Sequence, residues 1–114
     1  MRKIFILCIF FNLTYANAQG VAVQGHLDCA TWLEARKSNN AARFEHYVLG
    51  FVNGLALGRM VDIWNAKGVK VTNSQLYYWM DNYCNKNPLN DVVLGSVEFA
   101  DEMTSGAYKK AIRK

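Results

Sequence analysis

The chain has 114 residues, of which 13 are Lys or Arg and 9 are Asp or Glu, so its formal net charge at pH 7 is +4. A chain of this length can form one modest domain but not two. So mild a charge argues against a nucleic-acid-binding protein, whose basic residues form a strong patch.

Residues 1–18 have the three-part pattern of a cleaved signal peptide. Two basic residues (R-K) precede an apolar run over residues 4–15, and the small-x-small sequence A-N-A follows at residues 16–18. This run is too short for a membrane-spanning helix, which needs about 20 residues, and a retained N-terminal anchor is the alternative interpretation. We therefore predict an exported protein that begins at Gln19, has no membrane span and carries a net charge of +2, from 11 basic and 9 acidic residues.

The mature chain is predicted to consist of a short lead (residues 19–26), one helical domain (residues 27–105) and a basic C-terminal tail (residues 106–114). It shows no internal repeat, low-complexity segment or linker. The lysines and arginine of the tail are typical of a solvated helix end, because cations favour helix C-termini. We prefer this interpretation to that of a binding arm.

Two cysteines remain after processing, Cys29 and Cys84. In an exported protein an even pair indicates a disulfide. A bridge closing a loop of about 56 residues would contribute roughly 4 kcal/mol in the chain-entropy description. The alternative is a nucleophilic cysteine, which needs a base within reach, and nothing in the sequence places His26 or His46 there. We predict a structural bridge.

Apolar residues recur at three-four spacing over four segments, which predicts four helices. The first covers residues 27–37 and the second, the longest, runs from about residue 41 to residue 66. The third begins at Thr72, which forms a capping box with Gln75, and ends near Lys86. No segment alternates with period two, so we predict an all-α fold.

The fourth helix is predicted to begin at Asn87 as the cap and Pro88 as the first helical residue. Its inner face is predicted to consist of Leu89, Val92, Val93, Ser96, Val97, Ala100 and Met103. Cys84 lies on the inner face of the third helix, so a bridge to Cys29 would tie the first and third helices. The predicted fold is a compact bundle of about four helices with one disulfide.

Three glycines, Gly50, Gly54 and Gly58, lie four residues apart in the second helix (YVLGFVNGLALGRM). They are not a phosphate loop, because no strand precedes them and neither glycine-rich motif matches. They are not a membrane dimer motif, because the apolar run is short and Asn53 interrupts it. The strip allows close approach of another backbone, either within the domain, which is the favoured alternative, or from a second chain.

Apolar residues beyond the glycines favour a contact surface for part of the second helix. More apolar positions are present than one core-facing stripe needs, and the surplus consists of Leu57, Met60, Val61, Ile63 and Trp64. The predicted interface consists of Gly50, Gly54, Gly58, Arg59, Met60 and Trp64.

No constellation for catalysis, a metal or a cofactor is apparent. The two histidines lack metal-ligand spacing, and the carboxylates are scattered at positions that predict solvated helix faces. Consecutive aromatics at residues 77–79 could stack on a ligand, but they point in different directions around a helix. We therefore predict a protein that is not an enzyme and binds no cofactor or metal.

Three motifs resemble a known family of small exported proteins. DCATWL, YVLGFVNG and VTNSQLYYWMDNYCNKNPL resemble the HdeA/HdeB-like group over roughly residues 28–103. Within it, the Y-V-x-G-F element and the V-T-x-x-Q-L helix start are similar to the type VI amidase-immunity (Rap/Tai-type) proteins.

The resemblance implies a periplasmic helical domain, commonly a homodimer, with a bridge between Cys29 and Cys84. For the immunity branch it implies a protein that binds and blocks a peptidoglycan-targeting toxin. For the chaperone branch it implies acid-induced dimer dissociation and capture of unfolding client proteins. The two cysteines are further apart in the sequence, and the second helix is richer in glycine, than is expected of the chaperones. These differences favour the immunity branch, and the acid-activated chaperone is the alternative.

Overall fold

The computed structural model describes residues 22–112, so the predicted signal peptide lies outside the described residues. This part of the chain folds into α-helices and contains no β-strand, which confirms the all-α prediction. The elements are α1 (Cys29–Lys37), α2 (Ala42–Arg59), a 3-10 turn (Ala66–Gly68), α3 (Asn73–Lys86), α4 (Val92–Met103) and α5 (Ala107–Ile112).

Side-chain caps explain where α1 and α3 begin. The carboxylate of Asp28 accepts a hydrogen bond of 2.8 Å from the backbone N–H of Thr31. Thr72 and Gln75 form the predicted capping box, in which each side chain accepts a hydrogen bond from the other residue's backbone N–H. Each cap satisfies an amide that the first helical turn leaves without a partner, which is typically worth about 1 kcal/mol.

The fourth helix begins later than predicted. Its N-cap is Asp91 instead of Asn87, and the Asp91 carboxylate accepts a hydrogen bond of 2.8 Å from the N–H of Leu94. Pro88 therefore lies in a turn, and Leu89 is 99% exposed instead of facing the core. The predicted start at Asn87 and Pro88 is wrong.

Backbone hydrogen bonds between the starts of α1 and α4 account for this difference. The N–H of Cys29 donates to the carbonyl oxygen of Asn90 at 3.0 Å, and the N–H of Val92 donates to that of Leu27 at 2.9 Å. This pairing forms a single antiparallel bridge between Asp28 and Asp91, and it holds Asp91 in an extended conformation, so the helix begins only after that residue. It also keeps the first turns of the two helices side by side.

The core lies where α1, α2, α3 and α4 meet. Its largest fully buried side chains are Trp32, Phe99, Ile63, Leu76 and Met80. Cys29 and Cys84 are fully buried among them and form a disulfide with their Cα atoms 5.0 Å apart. The predicted bridge between the first and third helices is thereby confirmed.

The second helix ends at Arg59, short of the predicted end near residue 66. Met60 has a left-handed backbone conformation (φ 52°, ψ 43°), which ends the helix. The chain then turns so that Ile63, predicted as surplus surface, is 0% exposed in the core. Its burial contributes roughly 2 kcal/mol and helps to offset the helical hydrogen bonds given up at the break.

Helical packing continues past residue 105 into α5. Tyr108 is buried, with only 4% of its surface exposed, and it belongs to the same core as α4. The basic residues Lys109 and Lys110 therefore lie on a helix that is anchored to the domain.

Candidate functional site

The glycines of α2 lie on an open surface of the monomer. Gly50, Gly54 and Gly58 are all exposed, and a Cβ added at any of them would meet nothing within 4 Å outside its own helix. The interpretation that the strip packs against a neighbouring helix of the same domain is therefore wrong. We call this surface the glycine face; it consists of Gly50, Gly54, Leu57, Gly58 and Met60.

Two large apolar side chains are exposed at the C-terminal end of the glycine face. Leu57 is 73% exposed and Met60 is 88% exposed. A stacked aromatic pair, Tyr47 and Phe51, with ring centroids 6.3 Å apart, belongs to the same helix and is half-buried. The face therefore combines a strip without side chains with exposed apolar side chains at one end.

Tyr47 has an unusual environment beside this face. Its hydroxyl oxygen is buried and has no hydrogen-bond partner among the described residues. Burial raises the pKa of Tyr47 above its ordinary value, because the phenolate would be desolvated, and the negative charge of Asp91 acts in the same direction.

Met60 combines backbone strain with exposure. A left-handed conformation at a helix C-terminus is usually taken by glycine or asparagine, because a Cβ in this conformation costs about 1 kcal/mol. The Met60 side chain recovers little of this cost by burial, since 88% of its surface is exposed. Strained residues that gain nothing from packing are typical of functional positions.

Two members of the predicted interface, Arg59 and Trp64, have side-chain contacts within the fold. The guanidinium of Arg59 lies 5.5 Å from the ring centroid of Tyr108 in α5. The indole of Trp64 donates to the side-chain oxygen of Asn53 at 2.9 Å, and its ring lies 6.3 Å from that of Phe99. Arg59 and Trp64 therefore differ from the rest of the predicted interface, because the space above the glycines is open and the Met60 side chain is exposed.

Arg36 is the centre of an ion-pair network that the sequence did not reveal. It donates to both oxygens of Asp81 at 2.9–3.2 Å and also pairs with Glu45, so it links α1, α2 and α3. The indole of Trp32 donates to the same Asp81 carboxylate at 2.8 Å. Hydrogen bonding to Asp81 raises the pKa of Arg36 above its ordinary value. Glu45 and Asp81 were predicted on solvated faces, but they are structural partners of this arginine.

The described residues bear on three of the alternatives raised by the sequence: a free thiol, a metal site and a membrane span. Both cysteines are in the disulfide, so the alternative of a nucleophilic thiol at Cys29 or Cys84 is wrong. Over residues 22–112, no group of three or more His, Cys, Asp or Glu side chains could hold a metal ion. No helix in this part of the chain is long and apolar enough to cross a membrane.

Comparison of the chain with protein-family models, with curated proteins and with solved structures gives no match. The resemblance to the HdeA/HdeB-like group and to the amidase-immunity proteins therefore stays a prediction from short motifs and two cysteines.

Proposed function

We propose that this chain is a non-catalytic, exported protein-binding module whose contact surface is the glycine face. The observation that carries the proposal is the open space above Gly50, Gly54 and Gly58, next to the exposed Leu57 and Met60. A helix without side chains along one strip allows a partner's backbone to approach closely over several turns.

The two parts of the glycine face would contribute differently to binding. The glycines would give shape complementarity and van der Waals contact, because nothing projects from them. Leu57 and Met60 would supply the apolar area, and the flexible thioether of Met60 can adapt to the partner's surface. Arg59 and Trp64 are left out of the proposed surface, because their side chains contact other parts of the fold.

The partner class that fits the motifs best is a peptidoglycan-targeting toxin, which makes this an immunity-type protein of the periplasm. The predicted signal peptide and the disulfide are consistent with an exported protein. The family resemblance also favours a second copy of the chain as the partner that covers the glycine face. An acid-activated chaperone is the alternative function. It would dissociate from dimer to monomer in acid, whereas a rigid binding module would not.

The experiment measures self-association and partner binding of the mature chain, residues 19–114. It compares the wild type with Gly54→Leu and with the control Ala30→Leu. Ala30 is exposed on α1, so the control adds the same side chain to a different helix. Light scattering at pH 7 and pH 3 gives the mass, and calorimetry gives the affinity for any peptidoglycan amidase encoded beside this chain. We expect Gly54→Leu to weaken association at least tenfold, because leucine fills the strip, and Ala30→Leu to leave it unchanged.

Equal binding by Gly54→Leu and the wild type would exclude the glycine face as the contact surface. A dimer at pH 7 that dissociates at pH 3 and then suppresses client aggregation would replace the immunity proposal with the chaperone alternative. A mass unchanged by acid, together with amidase binding, supports the immunity proposal.

A further inference from the structure

A concave surface, separate from the glycine face, lies between α3 and α4. It is a groove of about 440 Å³. Trp79 and Tyr83 of α3 line one side, and Glu98, Asp101 and Glu102 of α4 line the other. Both rings are half-buried, so part of each remains available at the groove.

The aromatic side of the groove is held in place by its neighbours. The Trp79 and Tyr83 rings stack with centroids 5.5 Å apart, and the Trp79 and Phe99 rings meet in a T-shaped arrangement with centroids 5.4 Å apart. The indole N–H of Trp79 donates to the Glu102 carboxylate at 2.9 Å. Tyr83 can approach α4 because residue 95 is glycine, where a Cβ would lie 2.8 Å from the ring.

The acidic side has an excess of negative charge at an unfavourable place. Glu98, Asp101 and Glu102 lie in the second half of α4, where no basic residue occurs in the last turn. Carboxylates near a helix C-terminus are destabilising, because the helix dipole is negative there. A positive group placed in the groove would relieve this repulsion.

The chain itself supplies only part of that positive charge. Lys109 of α5 pairs with Glu98 through its ammonium group, and its backbone N–H donates to Asp101 at 2.9 Å. Lys86 lines a neighbouring part of the groove beside Glu102 and belongs to none of the ion pairs found among residues 22–112. Three carboxylates thus face two ammonium groups, and Glu102 has no ion-pair partner in this part of the chain.

We propose that this groove receives an arginine side chain projecting from a partner protein. A guanidinium is planar, so it can stack against Trp79 and Tyr83 while its N–H groups donate to the carboxylates of Glu98 and Glu102. Lysine fits less well, because its ammonium group cannot stack as a plane. Arginine at the centre of an aromatic and acidic pocket is also a frequent anchor of protein interfaces.

The test uses the mature protein and a small probe, so it is independent of the glycine face. N-acetylarginine amide is titrated into ¹⁵N-labelled protein, and the indole N–H signal of Trp79 is followed by NMR. N-acetylcitrulline amide is the matched neutral probe, since it has nearly the same shape without the charge. We expect the Trp79 signal to shift and to saturate at millimolar concentrations of the arginine probe. The citrulline probe should bind at least fivefold more weakly, and the Trp32 and Trp64 signals should change little.

Two variants examine the charge without removing the reporter. Glu102→Gln keeps an oxygen that can accept from the Trp79 indole but loses the charge, so we expect at least threefold weaker arginine binding. Lys109→Gln removes a competing cation, so we expect binding at least twofold tighter. Glu34→Gln, an exposed site on α1, is the control and should bind like the wild type.

Three results would overturn the proposal: no response of the Trp79 signal, an equal response to citrulline, or an unchanged affinity in Glu102→Gln. Loss of partner binding in Gly54→Leu would bear on the glycine face alone.

Discussion

Gly95 and Gly54 are both helical glycines, but their surroundings are opposite. A Cβ at Gly95 would lie 2.6 Å from the sulfur of Met80 and 2.8 Å from the ring of Tyr83, whereas a Cβ at Gly54 would meet nothing within 4 Å. We expect Gly95→Ala to destabilise the fold by about 1–3 kcal/mol, because the packed side chains of Met80 and Tyr83 must shift. Gly54→Ala should stabilise it by about 1 kcal/mol, because alanine favours a helix. Urea unfolding of both variants measures the contrast.

The contrast would fail if Gly95→Ala were as stable as the wild type, which would mean that Met80 and Tyr83 adjust freely. The three glycines of α2 stand out in the sequence by their regular spacing, whereas Gly95 does not. Only the packing of the neighbouring helix shows which glycine the fold needs.

At the scale of single elements, the strength of the α1 cap depends on pH. Two hydrogen bonds from Thr31 lower the pKa of Asp28 below its ordinary value of 3.8. A lowered pKa in the folded state means that this contribution is complete above pH 3.8 and is lost as the pH falls through the folded-state value. Asparagine caps a helix about as well as aspartate but does not titrate. We therefore expect Asp28→Asn to lose less stability than the wild type between pH 7 and pH 3.

Urea unfolding at the two pH values measures this difference, with Glu34→Gln as a control that removes a charge outside any cap hydrogen bond. Asp62 keeps part of the acid sensitivity in Asp28→Asn, because hydrogen bonds from Asn65 lower its pKa as well. An identical loss of stability in Asp28→Asn and the wild type would contradict the role of the cap.

A second prediction at the scale of single elements concerns Met60, the residue that ends α2. Its left-handed backbone conformation suits glycine, so Met60→Gly should stabilise the monomer by about 1 kcal/mol. The same change removes the most exposed apolar side chain of the glycine face, so partner binding should weaken. Thermal unfolding and calorimetry report the two effects separately. A variant that is more stable and binds equally well would show that the Met60 side chain is not used.

At the scale of the whole molecule, the disulfide and the Arg36 network hold the helices together. The bridge joins residues 55 apart in the sequence, which predicts a contribution of roughly 4 kcal/mol. This is a large share for a domain whose total stability is expected to be about 5–15 kcal/mol. We expect the double variant Cys29→Ala, Cys84→Ala to lose most of that share in urea unfolding. A reducing agent should destabilise the wild type similarly and leave the double variant unchanged.

Helix boundaries could be predicted from the sequence where they depend on nearby residues, and not where they depend on distant ones. The capping box of Thr72 and Gln75 marked the start of α3 correctly, because its hydrogen bonds join residues three apart. The start of α4 was missed because the turn before it is fixed by hydrogen bonds to Leu27 and Cys29, far away in the sequence. The end of α2 was missed because burial of Ile63 depends on elements that close the core from elsewhere.

The sequence by itself determined the helical class and the disulfide of this protein, because apolar spacing and an isolated cysteine pair are properties of the linear chain. Only the tertiary structure decided which surfaces are open. It left Gly50, Gly54 and Gly58 uncovered, placed Arg59 against Tyr108 and Trp64 against Phe99, and brought Trp79 opposite the carboxylates of α4. The physical reason is that exposure depends on which distant segments pack against a residue, and this information is absent from the spacing within one helix.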